Sequence, residues 1–183
     1  MPEAEAPQAV LLDTCAAIWL ANGNAMSSES RATIAAAQAG TGVFVSPISA
    51  REIATLVARN RLQLAPTPEA WFARLIDLPG VRLAPMPPEL MMASAFLPGR
   101  PPRDPADRII AATARFHDLA IVTRDSELIP YGQAGHVVTI ACRHELISAS
   151  RRAWAHRLGR RGRGDRPLRR LAAGIRRLTA ALR

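Results

Sequence analysis

The sequence contains no lysine, so all 24 of its basic residues are arginine. This absence excludes enzymes that form a Schiff base on lysine and nucleotide-binding proteins that need a P-loop lysine. Aromatic residues make up only 4% of the chain. The core of the protein must therefore be built mainly from alanine, leucine, isoleucine and valine.

Cysteine is scarce as well, since the chain has only Cys15 and Cys142. Both lie beside apolar runs, so we expect two buried thiols in a reducing compartment rather than a disulfide framework. No basic segment precedes an apolar stretch near the N-terminus, which predicts that there is no signal peptide. No apolar run is long enough to span a bilayer. These features favour a cytoplasmic protein.

Positive charge is concentrated at one end of the chain. Residues 1–150 carry 12 arginines and 14 acidic residues, a net charge of −2, whereas residues 151–183 carry 12 arginines and one acidic residue, a net charge of +11. The change in composition after about residue 150 predicts that a basic extension over residues 151–183 follows the folded domain.

The extension itself has two parts. Residues 159–166 (GRRGRGDR) have the composition of a flexible linker, and residues 167–183 have the apolar spacing of a short amphipathic helix. Three interpretations remain open for this region: RNA binding, association with an anionic membrane or a partner, and a solvated coil without further function. The RNA-binding interpretation assigns phosphate contacts to Arg160, Arg161 and Arg163.

Short apolar runs alternate with helical patterns along the rest of the chain. The sequence predicts strands at 9–12, 43–45, 81–84, 119–123 and 137–140. It predicts helices at 14–22, 28–39, from 47 past 57, from 68 to about 78, at 88–97 and at 105–118. This alternation predicts an α/β fold, a three-layer α/β/α sandwich with a mainly parallel central sheet.

Four acidic residues fall at one edge of the predicted sheet. Asp13 and Asp125 follow the first and fourth strands, and Glu52 and Asp107 lie on helices that can reach the same edge. Ligands of parallel sheets bind at the carboxyl ends of the strands. Each residue alone has an alternative role as a helix cap or turn residue, but the convergence of four favours a site. Asp104 is predicted to be a helix cap only.

Four carboxylates in one cleft repel one another unless a cation is bound or some are protonated. Mg²⁺ prefers such oxygen ligands, Mn²⁺ is the alternative ion, and no histidine or cysteine cluster has the spacing of a zinc site. A metal ion held this way activates a water and screens a phosphodiester for in-line attack. The sequence has no P-loop and no glycine-rich dinucleotide turn, so we predict phosphodiester hydrolysis.

Four blocks of the sequence resemble PIN-domain ribonucleases, and more narrowly the VapC-type toxins of type II toxin–antitoxin systems. They are LLDT at 11–14, VSPISAREIATL at 45–56, RDPADRIIAATAR at 103–115 and VTRD at 122–125. The resemblance covers roughly residues 9–142, so it implies a nuclease domain with the PIN fold over that range. It implies a metal-dependent endoribonuclease that is neutralised by a cognate antitoxin. It also implies a homodimer, with transfer RNA or ribosomal RNA as plausible substrates.

The resemblance implies roles for individual residues as well. Asp13 and Asp107 would be the main metal ligands. Glu52 and Asp125 would complete the site, partly through water, and one of them would position the attacking water.

Two further groups of residues are predicted to support this site. Thr14 and Thr123 resemble the hydroxyl residues that steady the acidic cluster, although a helix cap and a strand-end hydroxyl are equally good interpretations. The arginines next to the acidic residues that we expect to contact RNA are Arg108 and Arg124.

Two other functions remain open at this point. One is an RNA-processing nuclease with the same fold and no antitoxin. The other is a non-catalytic acidic pocket or receiver-like domain, which the absence of lysine disfavours. Met91, Met92 and Phe96 belong either to the core or to a surface for a second copy or an antitoxin.

Overall fold

Five short strands form one parallel sheet in a computed structural model that describes residues 9–24 and 26–142. The strands are β1 (Val10–Leu12), β2 (Val43–Val45), β3 (Val81–Leu83), β4 (Ala120–Thr123) and β5 (Val138–Ala141). Their order across the sheet is β3-β2-β1-β4-β5, and every neighbouring pair is parallel. The two strands in contact with β1 are therefore β2 and β4, which makes β1 the centre of the sheet.

Seven helices connect and cover these strands in the described residues. They are α1 (Thr14–Asn22), α2 (Ser28–Ala39), α3 (Pro47–Ala58), α4 (Pro68–Ile76), α5 (Pro88–Ala93), α6 (Pro105–His117) and α7 (Leu128–Gln133), and a short 3-10 turn (Ser94–Phe96) follows α5. Side chains of Val10 and Leu12 pack with α1, α2 and α4 on one face, and Leu11 packs with α6 and α7 on the other. Helices on both faces confirm the predicted three-layer α/β/α sandwich.

Polar side chains start most of these helices where the sequence predicts it. Ser46 accepts a hydrogen bond from Ile48 N at the start of α3, and Thr67 accepts one from Ala70 N at the start of α4. In both helices a proline occupies the first turn, where backbone N–H groups have no partner within the helix, so the N–H that proline lacks costs no hydrogen bond.

The structure corrects several expectations. Helix α7 was not predicted, because Pro130 and Gly132 disfavour a helix and no clear apolar period marks it. The helix predicted at 88–97 is α-helical only to Ala93. Cys142 is buried as expected, but Cys15 is exposed, because α1 turns its Ala16, Ala17 and Leu20 side to the core.

The apolar side chains of α5 and of the 3-10 turn after it exclude one of the two interpretations given for them. Met91, Met92 and Phe96 are 39%, 60% and 85% exposed, so the alternative that placed them in the core is wrong. No helix among the described residues is long and apolar enough to cross a membrane. The division into a domain over 9–142 and an extension over 151–183 stays a prediction, since residues 143–183 lie outside the described residues.

Candidate functional site

The candidate site begins at the carboxyl ends of β1 and β4. These strands pair in parallel with Leu12 opposite Val122, so the next residues of both strands come together at the sheet edge. The backbone N–H of Asp13 donates to Val122 O at 3.1 Å, and the hydroxyl of Thr123 donates to Asp13 Oδ2. A contact between residues 110 positions apart in sequence is thus made by strand pairing alone.

Asp13 is the most enclosed acidic residue of the site, with only 4% of its surface exposed. It is also the N-cap of α1, where its Oδ1 accepts a hydrogen bond from Ala16 N at 2.5 Å. Burial raises the pKa of Asp13 to about 6, the two hydrogen bonds oppose this shift, and the charges of Asp125 and Glu52 add to it. The carboxylate is therefore held in a place where its negative charge is costly.

Asp107 lies in the first turn of α6 and is half-buried. Its pKa is raised to about 7, first by burial and then by the negative charges of Asp125, Glu52, Asp104 and Asp13, in that order. No side chain that the structure describes donates a hydrogen bond to its carboxylate or forms an ion pair with it. The charge of Asp107 is consequently the least compensated in the site.

Glu52 reaches the edge from the second turn of α3. Its Oε2 accepts a hydrogen bond from the hydroxyl of Thr14, which also lies 2.9 Å from the hydroxyl of Ser49. Since the single proton of Thr14 goes to the carboxylate, Ser49 supplies the proton of the second bond. Burial raises the pKa of Glu52, and the hydrogen bond from Thr14 opposes this shift.

Asp125 has a structural task in addition to its place at the edge. Its Oδ1 accepts hydrogen bonds from Glu127 N at 2.7 Å and Leu128 N at 3.0 Å, which shape the turn into α7. Its own backbone N–H donates to Thr123 Oγ1 at 2.9 Å. One hydroxyl, that of Thr123, therefore links Asp13 to the Asp125 turn.

The four acidic residues share an edge without yet touching. Neighbouring carboxylates raise the pKa of Asp13, Glu52 and Asp107, but no three His, Cys, Asp or Glu side chains between residues 9 and 142, Ala25 aside, are grouped tightly enough to coordinate an ion as they stand. All the donors are carboxylate oxygens, and no described arginine or histidine is paired with them. This donor set fits a hard divalent cation such as Mg²⁺, which keeps several waters and needs few direct protein ligands.

The structure separates the predicted RNA-contacting arginines. Arg108 donates to Ser94 O at 3.1 Å and Ala95 O at 2.9 Å, so it ties α6 to the 3-10 turn. Arg124 lies over the ring of Trp19, with 4.2 Å from its guanidinium carbon to the ring centroid. The remaining predicted contacts are Arg160, Arg161 and Arg163, which lie outside the described residues.

Two residues of this region were missed in the sequence. Ser49 is fully buried and supports Thr14; its position one helical turn before Glu52 was the available signal. Trp19 gave no signal, because its contact with Arg124 joins two segments far apart in the chain.

Comparison with known proteins places the chain among relatives of similar sequence. Residues 10–132 match the model of the PIN domain family. Ribonuclease VapC22 from Mycobacterium tuberculosis is 35% identical over 122 residues, which are 65% of this chain and 88% of that protein. The PIN-domain match includes the positions of all four acidic residues.

Solved structures also resemble the chain. The structure of VapBC2 from Rickettsia felis bound to a promoter DNA fragment superposes with a TM-score of 0.55 at 10% identity, and the match covers 74% of this chain and 99% of that chain. For FitAcB from Neisseria gonorrhoeae the TM-score is 0.44 at 22% identity, with 72% and 96% covered. At 10% identity the first of these likenesses supports the fold alone.

Proposed function

Because the chain belongs to the PIN domain family and is of the VapC type, we propose that it is an endoribonuclease toxin that hydrolyses RNA phosphodiester bonds with a divalent metal ion. The observation that carries the proposal is the gathering of Asp13, Glu52, Asp107 and Asp125 at one sheet edge, where burial and mutual repulsion raise the pKa values of three of them. A cation removes that repulsion.

The residues would divide the work as follows. Asp13 and Asp107 would hold Mg²⁺, or Mn²⁺ in its place, and Glu52 and Asp125 would complete the site partly through water. When bound, the ion supplies an activated water and screens the phosphate charge. Asp13 is already oriented by Thr123 and Ala16 N, and Glu52 by Thr14, as the outer partners of metal ligands commonly do.

Cleavage of RNA by the purified full-length chain tests this proposal. We expect labelled transfer RNA or ribosomal RNA to be cut with Mg²⁺ or Mn²⁺ present, to remain intact in EDTA, and to be cut again when the ion is restored. Cleavage that continues unchanged in EDTA after exhaustive dialysis would contradict a metal-dependent site.

We further propose that a cognate antitoxin neutralises the chain and that two copies form a homodimer. The similar Rickettsia felis structure contains VapBC2, a complex rather than a single chain. On this chain, Met91, Met92, Phe96 and Phe116 are exposed apolar side chains around α5 and α6, and they form a suitable surface for a second copy. Light scattering of the wild type and of Phe96→Ser would show a dimer in the first and a monomer in the second.

An RNA-processing nuclease without an antitoxin is the alternative. It differs from a toxin in an observable way, because expression of a toxin without its antitoxin stops growth. An adjacent open reading frame whose product binds the chain and restores growth would support the toxin. A cytoplasmic location stays a prediction.

For the basic extension we propose RNA binding. The last described residue, Cys142, donates through its backbone N–H to Thr123 O at 2.8 Å, so the chain leaves the sheet beside the candidate site. Deletion of residues 151–183 should weaken RNA binding, and most at low salt, because arginine–phosphate contacts release counterions. Unchanged affinity at low salt would refute this role.

A further inference from the structure

Arg124 and Trp19 form a small surface beside the sheet edge that carries the four carboxylates. Alternate residues of a strand point to opposite faces. In β4, Ile121 packs against the α6 and α7 side, and Val122 packs against the α1 side. Thr123, the last residue of β4, donates to Asp13, and Arg124 follows it and lies against α1, where its guanidinium carbon is 4.2 Å from the Trp19 ring centroid.

The indole ring of Trp19 is a rigid surface on which the Arg124 guanidinium can stack. Trp19 is half-buried and packs against the core cluster that includes Leu20 and Val122. A guanidinium stacked on an aromatic ring uses its flat face for the contact and keeps its N–H groups at the rim. Arg124 thus presents its donors in a defined orientation next to the sheet edge.

Arg124 also has no carboxylate partner in the part of the chain that the structure describes. The one ion pair there joins Arg103 to Glu127. Burial and the neighbouring carboxylates, rather than Arg124, dominate the raised pKa values of Asp13 and Asp107. Its positive charge therefore stands close to the acidic edge without neutralising it.

The two predicted RNA-contacting arginines of the domain differ in this respect. The guanidinium of Arg108 donates hydrogen bonds to Ser94 O and Ala95 O, which are main-chain carbonyls of the protein itself. Arg124 makes no such bond within residues 9–24 and 26–142 and is held only by the ring of Trp19. Of the two, Arg124 is the one whose N–H groups are available to a ligand.

We propose that Arg124, held in place by Trp19, binds a phosphate of the RNA strand next to the bond that is cleaved, and that Trp19 is the positioning residue for this contact. The inference rests on the proposed ribonuclease function. Guanidinium groups bind phosphate through two parallel hydrogen bonds, which fixes direction as well as charge. Since the guanidinium covers one face of the indole, the pair contacts the RNA backbone and does not read bases.

A matched control exists on the other half of the sheet. Arg82 on β3 lies over Phe44 of β2, with its guanidinium carbon 6.0 Å from the ring centroid. Arg82 belongs to an edge strand, separated from β4 by β2 and β1. Arg82→Ala removes the same charge and the same kind of contact without touching the proposed phosphate site.

The experiment measures binding of a labelled single-stranded RNA of about 12 nucleotides to the full-length chain. EDTA prevents cleavage, and fluorescence anisotropy is followed over a range of NaCl concentrations. For Arg124→Ala we expect a Kd roughly tenfold higher and a salt slope smaller by about 0.7, the value for one lost phosphate contact on a single strand. Arg82→Ala should change neither quantity beyond a small nonspecific loss.

The Trp19 variants test positioning separately from charge. Trp19→Ala should raise Kd roughly threefold with the salt slope unchanged, because the charge of Arg124 remains, and Trp19→Phe should largely restore binding. In the Arg124→Ala background, Trp19→Ala should have no further effect on Kd, since coupled residues are not additive. A merely structural role for Trp19 would instead lower the Tm and weaken binding equally in both backgrounds.

Two unfavourable outcomes can be told apart. If the wild type binds and cleaves RNA but Arg124→Ala matches Arg82→Ala in Kd and salt slope, the phosphate contact is wrong and the ribonuclease function stands. If the wild type neither binds nor cleaves RNA under any metal condition, the proposed function fails, and the contact fails with it.

Discussion

The starts of α1 and α6 look alike in sequence and differ in structure. Asp13 and Asp104 are both N-cap aspartates, and each accepts a hydrogen bond from a backbone N–H of its own helix. Asp104 is exposed after a loop, whereas Asp13 follows the central strand β1 and is 4% exposed. Asp13 also accepts from Thr123, which a surface cap lacks. The same local motif thus serves helix formation in one place and a charged site in the other.

The largest difference between the two caps should appear in RNA cleavage. We expect Asp13→Asn to lower kcat/KM on the order of 10³-fold, since loss of a direct metal ligand removes several kcal/mol of transition-state stabilisation. Asp104→Asn should stay within about twofold of the wild type, because asparagine caps a helix as well as aspartate does. Initial rates with Mg²⁺ on one RNA substrate check both variants, with circular dichroism to confirm folding.

A loss of similar size in both variants would contradict the comparison. It would mean that Asp104 also contributes to the site, as its effect on the pKa of Asp107 allows. A loss in neither variant would remove Asp13 from the metal site.

The burial of Asp13 should also make the stability of the protein depend on pH and on metal ions. The folded pKa of Asp13, about 6, lies above its ordinary value of 3.8. Its contribution to stability is therefore fully present below pH 3.8 and is lost as the pH rises through about 6. The loss is on the order of 3 kcal/mol at neutral pH. The half-buried Asp107, with a pKa of about 7, adds a smaller loss over a higher range.

Thermal unfolding of the metal-free protein can measure this effect. Between about pH 4 and pH 7.5, Asp13→Asn should lose less stability than the wild type, by roughly 5–10 °C in Tm. Mg²⁺ or Mn²⁺ should raise the Tm of the wild type at about pH 7.5 more than at about pH 5, where protons compete for the carboxylates. Equal Tm profiles for Asp13→Asn and the wild type would show that Asp13 is not strained by burial.

A smaller effect should follow from removing the hydroxyl of Thr123, which donates to Asp13 and has no equivalent at Asp104. Thr123→Val keeps the shape of the side chain but removes the bonds to Asp13 Oδ2 and from Asp125 N. We expect kcat/KM to fall roughly 10- to 100-fold, as is usual for residues that orient metal ligands. Thr123→Ser keeps the hydroxyl and should retain most of the activity. Wild-type activity in Thr123→Val would contradict the role of this hydroxyl in orienting Asp13.

The smallest effect belongs to the ordinary cap. Asp104→Ala removes the bond to Ala106 N and should lower the free energy of unfolding by about 1 kcal/mol. The kcat/KM value should change little. Urea unfolding of Asp104→Ala and Asp104→Asn separates the lost cap from the lost charge.

The sequence predicts the fold of this chain well, for physical reasons that can be named. Helices with a polar cap and an early proline, such as α3 and α4, begin where local chemistry requires it. Buried parallel strands show as short apolar runs between helices, so all five strands were found within one residue at either end. The short helix α7 was missed because its stability comes from the packing of Leu128 and Tyr131 against the core, not from the helix propensity of its sequence.

The candidate site is less predictable than the fold. The four acidic residues could be predicted as a candidate site because parallel sheets bind ligands at the carboxyl ends of their strands. The hydroxyl groups that hydrogen-bond to these residues were harder to predict. Thr123 and Thr14 were predicted only from the family resemblance, and Ser49 was not predicted as part of the site. The exposure of Cys15 was predicted wrongly, because an apolar neighbourhood in sequence does not say which side of a helix faces the core. Such contacts depend on the packing of distant segments.

The end of the edge strand β5 has a consequence for everything that follows it in the chain. Ser27 fastens this end from α2: its backbone N–H donates to Cys142 O at 3.1 Å and its hydroxyl donates to Ala141 O at 3.0 Å. A segment that is tethered at a fixed point by a short linker has an effective local concentration on the order of millimolar near that point. If the extension binds RNA as proposed, its arginines would be concentrated near an RNA strand that is already bound at the candidate site. They could then add to binding even when each arginine alone binds weakly.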